Sequence, residues 1–296
     1  MKKFFLATAV ATVFAAPAAA WGQTTPGSDA TPPVPASEHT FTGNLTITND
    51  YRFRGISQTF GGSNWWAPAI QGGVDYSHAS GFYVGNWNSN VSGVQYPNGS
   101  SIEMDFYGGW KKTWDDWGLD VGTIYYYYPN NAKFIGVNAS GNSFNTTINN
   151  WEAYIGGSWK FLSLKYYYSF TNYFGLDSDV ASAYLNKAGT QTLQTASGNT
   201  GDTKGTQYLV GSASYEVMPK LSVVGSLGYT WVPNYGGELN YLDYKVGVVY
   251  DLNSWLLGAA VVGTNAKNDW WYATNGEGTT RNLGQANLIL SVSKTF

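Results

Sequence analysis

Residues 241–250 read "YLDYKVGVVY", with Leu242, Tyr244, Val246, Val248 and Tyr250 at alternate positions and Asp243, Lys245 and Gly247 between them. Successive side chains of a strand point to opposite sides, so a two-residue period marks a strand whose faces meet different surroundings. The pattern recurs. Between 102 and 111, Ile102, Met104, Phe106 and Trp110 oppose Glu103, Asp105 and Lys111. Over 162–170, Leu162, Leu164, Tyr166, Tyr168 and Phe170 oppose Ser163 and Lys165. Read this way, the chain holds about twelve strands of about ten residues each. They fall near 40–52, 66–77, 81–91, 101–113, 117–128, 149–160, 162–172, 206–216, 220–231, 240–250, 254–264 and 285–296.

The connections alternate in length. "HASG" (78–81), "WDDW" (114–117), "KF" (160–161), "VMPK" (217–220) and "DLNS" (251–254) are short, and those between them are long. An even strand number with short turns at one end and long loops at the other is the plan of an outer-membrane barrel. The expected fold is therefore all-β: a transmembrane, antiparallel, up-and-down barrel over 40–296, with both termini periplasmic. Fourteen strands is the alternative, if 173–205 hides a further hairpin. A secreted sandwich or propeller also has many short strands, but neither has a reason to alternate its connections so regularly.

The amino terminus and the composition agree with export. "MKKFFLATAVATVFAAPAAA" joins Lys2 and Lys3 to an apolar run and a small-residue end, a secretory signal expected to be cleaved after Ala20. "WGQTTPGSDATPPVPASE" (21–38) has no period and reads as a disordered lead-in up to about residue 39. Without Lys2 and Lys3 the chain has 14 basic against 19 acidic residues, which leaves no broad basic face for nucleic acid. Cysteine is absent, so thiolate sites and disulfides are excluded. Beyond the signal no run of 18 apolar residues exists for a spanning helix. Instead 13 Trp, 23 Tyr, 14 Phe and 36 Gly accompany only 12% charged residues, a composition suited to aromatic belts around an apolar band.

Charges keep to one side of each predicted strand. A Lys or Arg facing lipid at the midplane costs about 2–4 kcal/mol, so that side is assigned to the lumen. By parity the inward charges are Asp50, Arg52, Arg54, Asp75, Glu103, Asp105, Lys111, Asp120, Glu152, Lys160, Lys165, Glu216, Asp243 and Lys245. In "NDYRFRGISQT" (49–59) the same parity sends Tyr51 and Phe53 outward into the aromatic belt. Twelve strands fall between barrels filled by side chains and open porins, which predicts a narrow lumen. Its charges either line a permeation path or pair across it and close it. The acid excess predicts weak cation preference. In "IYYYYPNN" (124–131), Tyr126 and Tyr128 are the inward pair and candidates for solute contact.

The segment "YRFRGISQT", followed by "PAIQGGVDY" (68–76) and "GFYVGNW" (81–87), resembles the TorF-family porins of proteobacterial outer membranes. "YEVMPKLSVVGSLGYT" (215–230) and the ending "SVSKTF" fit the resemblance, which covers most of the mature chain. It implies an outer-membrane barrel that passes small solutes. No catalytic or binding residues follow from it. The alternating ending with Phe296, Val292, Leu290 and Leu288 on one face is similar to the signature read by the barrel assembly machinery, although Lys294 takes an outward place.

Other chemistry has little to stand on. A barrel hydrolase acting on lipid or peptide needs a base at the outer rim, yet His39 and His78 fall at the short-turn end. Two distant His without Cys give no metal spacing, and "LDSDV" (176–180) lacks the Gly and Glu of a calcium loop. No cofactor is expected. A closed structural or adhesive barrel acting through its outer loops is the remaining alternative. The partners implied are outer-membrane lipid, small-molecule solutes and the assembly machinery.

Overall fold

The computed structural model describes residues 37–95, 100–129 and 132–296. The expected signal peptide at 1–20 and the lead-in as far as residue 36 lie outside the described residues. Twelve strands form one closed barrel in which each pairs antiparallel with its neighbours in the chain. They are β1 (His39–Thr48), β2 (Ala69–His78), β3 (Phe82–Asn90), β4 (Ile102–Trp114), β5 (Trp117–Tyr127) and β6 (Asn150–Trp159). The circuit continues with β7 (Leu162–Ser169), β8 (Gln207–Met218), β9 (Leu221–Trp231), β10 (Tyr241–Leu252), β11 (Trp255–Thr264) and β12 (Asn287–Thr295). The fourteen-strand alternative is thereby excluded, because 173–205 folds as short helices and not as a hairpin of the wall.

The seam between β1 and β12 closes the ring. Asn44 pairs with Thr295 and Ile47 with Val292, while the Thr46 hydroxyl donates to Ser293 Oγ at 2.8 Å. Phe296 N–H donates to the Gly43 carbonyl at 2.8 Å. Lys294 resolves its outward position by setting Nζ 4.8 Å from the ring centre of Trp255 and 5.4 Å from that of Phe296.

The pleat sorts the two faces. Val74, Val84, Ile155, Leu164, Leu227, Val246 and Leu288 are exposed on the outer surface. Trp114, Trp117, Trp159, Phe161 and Trp255 stand exposed near the turn end, and Trp65, Trp66, Tyr125, Tyr127, Trp151 and Phe170 near the loop end. No helix among the described residues is long and apolar enough to cross a membrane.

Wall strands end close to their expected positions, with one informative exception. β1 was expected to run to residue 52, but it stops at Thr48. There the Asn49 side chain occupies the edge of β12, its Oδ1 accepting from Leu290 N–H at 2.7 Å and its Nδ2 donating to the Leu288 carbonyl at 3.0 Å. The chain then leaves the wall and turns inward.

At the loop end the long connections pack on one another. Between β5 and β6 lies a hairpin (Lys133–Val137 with Ser143–Thr147), and between β11 and β12 a smaller one (Tyr272–Thr274 with Thr280–Asn282). The connection from β7 to β8 carries α1 (Ser178–Ala183) and α2 (Leu193–Ser197), and α3 (Gly236–Leu239) precedes β10. Asp177 and Asp179 of "LDSDV" have structural partners: Asp177 caps α1 by accepting from Val180 N–H at 2.9 Å, and Asp179 accepts from Asn138 Nδ2 at 2.8 Å.

Candidate functional site

Residues 49–62 form a plug inside the barrel. Tyr51 through Gln58 are all buried, and a two-residue hairpin pairs Arg52 with Ser57 and Phe53 with Ile56. Their contacts span the lumen. The Tyr51 ring lies edge-on to Trp87 of β3, with 5.5 Å between centroids, and its hydroxyl donates to Glu103 Oε1 of β4 at 2.6 Å. Phe53 packs edge-on to Tyr126 of β5 at 5.5 Å. Arg54 Nη2 donates to Glu152 Oε2 of β6 at 2.6 Å, and its guanidinium carbon lies 4.3 Å from the ring centre of Tyr208 of β8. A Cβ on Gly55 would run into Thr264 Cγ2 of β11 and fall 2.9 Å from Asp243 Cβ of β10.

This corrects the expectation for "NDYRFRGISQT". Tyr51 and Phe53 do not join the outer aromatic belt, because both faces of the segment are interior. The local cause is the charged pair. Asp50 accepts from Arg52 Nε at 2.6 Å, from Ser57 Oγ at 2.6 Å and from Thr59 Oγ1 at 2.9 Å, so the carboxylate folds the segment around itself. Burial raises the Asp50 carboxyl above its ordinary range, while Arg52 and the two hydroxyls oppose that shift. Arg52 spends its remaining donors on backbone: Nη1 on Gly55, Leu283 and Gln285 carbonyls at 3.1, 3.1 and 2.8 Å, and Nη2 on Gly62 at 3.2 Å. Gly55 has φ +78°, a left-handed turn with no room for a side chain.

Plug and wall share their carboxylates. Glu103 accepts from Tyr51 and also from the Tyr128 hydroxyl. Glu152 takes Arg54, the Tyr126 hydroxyl at 3.3 Å and Asn150 Nδ2 at 3.2 Å. The structure therefore brings Tyr126 and Tyr128 to the lumen, fully buried, with Phe174 packed on both rings. Their hydroxyls serve the carboxylates. Phe174 and Tyr173 come from the connection 170–206, so that loop also closes on the plug, and burial pushes the Tyr173 hydroxyl up to about 12 against the pull of Arg54. Both oxygens of the fully buried Asp105, and one of Asp243, lack a hydrogen-bond partner among the described residues.

The turn end holds a second, less buried network. Lys165 Nζ donates to Asp120 Oδ2 at 2.8 Å and stands 3.8 Å from the ring centre of Tyr154. Tyr83 donates to Asp120 Oδ1 at 2.5 Å, and Tyr107 to Asp75 Oδ1 at 2.5 Å. Lys245 of β10 is half-buried on the inward side. Lys160 departs from the inward assignment: it sits exposed in the turn after β6 with φ +53°, 3.7 Å from Asp116. His39 and His78 pair across β1 and β2 at this end, their ring centroids 5.1 Å apart. Among the described residues no group of three or more His, Asp or Glu is arranged to hold a metal ion.

Sequence reasoning missed the loop-end aromatics Trp270, Trp271, Tyr173 and Phe174. "NDWWYATN" (268–275) carries a signal, since a solvated loop has no use for three adjacent aromatic residues.

Fold and interior together define a closed, up-and-down, twelve-stranded barrel with an internal plug. The chain belongs to the family described as "Bacterial protein of unknown function (Gcw_chp)", whose model matches residues 33–296. No curated protein matches it. Among solved structures it is similar to the KdgM porin at 9% identity, covering 86% of this chain and 98% of that one, with a TM-score of 0.44. The NanC porin is 10% identical, with 86% and 98% covered and a TM-score of 0.45. Outer-membrane OmpT of Vibrio cholerae is 9% identical, with 89% and 99% covered and a TM-score of 0.37.

Proposed function

We propose that this chain is an outer-membrane, porin-like channel for small solutes, closed at rest by residues 49–62. One observation carries the reading: an apolar exterior between two aromatic belts encloses an interior rich in charge. Only a closed barrel satisfies its backbone in hydrocarbon with strands, and the exterior suits that surrounding. The resemblance to TorF-family porins points the same way, and the short-turn end, with both termini, is assigned to the periplasm.

In this reading passage requires the plug to move. Its side chains tie it to the wall at Arg54 with Glu152, Tyr51 with Glu103 and Asn49 with β12, while Asp50 and Arg52 hold its own shape and Arg52 also reaches the Leu283 and Gln285 carbonyls. The plug level buries Asp50, Glu103, Asp105, Glu152 and Asp243 against Arg52 and Arg54. That acid excess, with the Asp105 carboxylate lacking a hydrogen-bond partner among the described residues, favours cations once the path is open. Lys165 and Lys245 lie deeper and temper the preference.

The test is single-channel recording of residues 21–296 refolded into a planar bilayer, beside a variant with 51–60 replaced by a short Gly-Ser linker. The native chain is expected to open rarely and the variant to give long, mildly cation-selective steps. A variant that inserts, stays folded and never conducts would overturn the channel reading.

A further inference from the structure

Above the plug the loops line a partly open cavity of about 380 Å³. Interiors hold few voids larger than a water, and ligand sites occupy about 300–1,000 Å³, so this volume has the scale of a site. Its walls include Phe134, Phe174, Tyr184, Tyr241, Trp270 and Trp271, and among the described residues no Asp, Glu, Lys or Arg lines it. A charge placed there would lose its water without gaining a counter-charge. Three separate hydrophobic clusters, around Phe53, Ile56 and Leu193, all pack against Trp271. Tyr241 sets its ring edge-on to Trp271 at 5.0 Å, and the buried indole N–H of Trp271 has no acceptor among the described residues. Phe53 and Ile56 of the plug also line the cavity.

We infer that this cavity is a binding site for an uncharged, flat aromatic molecule carrying one hydrogen-bond acceptor for Trp271. The rings supply edge and face contacts, the indole N–H of Trp271 orients the acceptor in a lining that also holds the Gln58 and Gln95 amides, and the plug forms part of the floor. Binding does not require that the barrel conduct, so it stands or falls separately from the channel reading.

The experiment is calorimetric titration of 2-naphthol into residues 21–296 in lipid nanodiscs, with empty nanodiscs subtracted. One saturable site is expected. Leu176→Trp, which fills the cavity, should abolish saturation while heat-modifiable migration on gels shows the barrel intact. Ala273→Leu, which adds volume from another wall, is the second variant and should weaken binding at least about tenfold by overpacking. Trp271→Phe should weaken 2-naphthol about tenfold, the scale of one hydrogen bond, and leave naphthalene unchanged. Uptake no greater than in empty nanodiscs would overturn the proposal. So would unchanged affinity in both filled variants, or naphthalene-2-sulfonate binding as tightly as 2-naphthol.

Discussion

In β10 a side chain's surroundings follow from its parity. Leu242, Val246 and Val248 turn outward and Asp243 and Lys245 inward, while backbone ladders to β9 and β11 secure both edges. Residues 49–62 have no such ladder. Beyond scattered backbone bonds such as Ser57 N–H to the Leu283 carbonyl, their place depends on individual side chains reaching named partners: Asp50 on Ser57 and Thr59, Arg52 on loop carbonyls, Arg54 on Glu152. The wall is thus a repetitive structure that tolerates side-chain change wherever face and polarity are kept. The plug is a single arrangement that a few substitutions can undo without opening the ring.

The sharpest break of that contrast is Arg54→Ala. It leaves Glu152 buried without its cation, a loss of about 3–5 kcal/mol where the partner cannot reach water. Hydrogen–deuterium exchange should accelerate across 49–62 and stay slow in β1–β12. Equal acceleration in the wall would mean that plug and barrel form one cooperative unit. Next in size is Val246→Lys, which, with the exterior in lipid as proposed, turns a charge toward hydrocarbon near mid-wall at a cost of about 2–4 kcal/mol. Denaturant unfolding from vesicles should show the wall weakened, with exchange of the plug unchanged until the barrel itself opens. Smallest is Gly55→Ala, which imposes a side chain on a left-handed turn facing Thr264 and Asp243, at about 1–3 kcal/mol. Under the proposed channel reading its expected outcome is more frequent opening at unchanged barrel stability; a fall in the unfolding midpoint would place Gly55 in the wall's own balance.

The same contrast explains what the sequence made legible. Alternation is local, so every wall strand was readable to within a few residues, and inward Glu103, Asp105, Glu152, Lys165 and Asp243 followed from parity. The plug was not readable, since Asp50, Arg52 and Arg54 alternate with Tyr51 and Phe53 as they would in a strand. What draws them inward is distant in the chain: Glu152 for Arg54, the carbonyls of Leu283 and Gln285 for Arg52. The structure buries Tyr126 and Tyr128 under Phe174, and nothing nearby in sequence announces that cover. For the cavity, the run Trp270, Trp271 and Tyr272 showed that something apolar had to be built, and not with what.

The seam joining Asn44 to Thr295 has a consequence for how the molecule comes to exist. Every other pairing in the ring links segments adjacent along the chain, so a curved ribbon can lengthen one hairpin at a time, each step closing a short loop. The last step alone must bring the two extremes of that ribbon together, and until it happens β1 and β12 are open edges inviting wrong partners. Circularisation is therefore the event on which assembly is most exposed, and the contact of Phe296 with Gly43 is its final stitch.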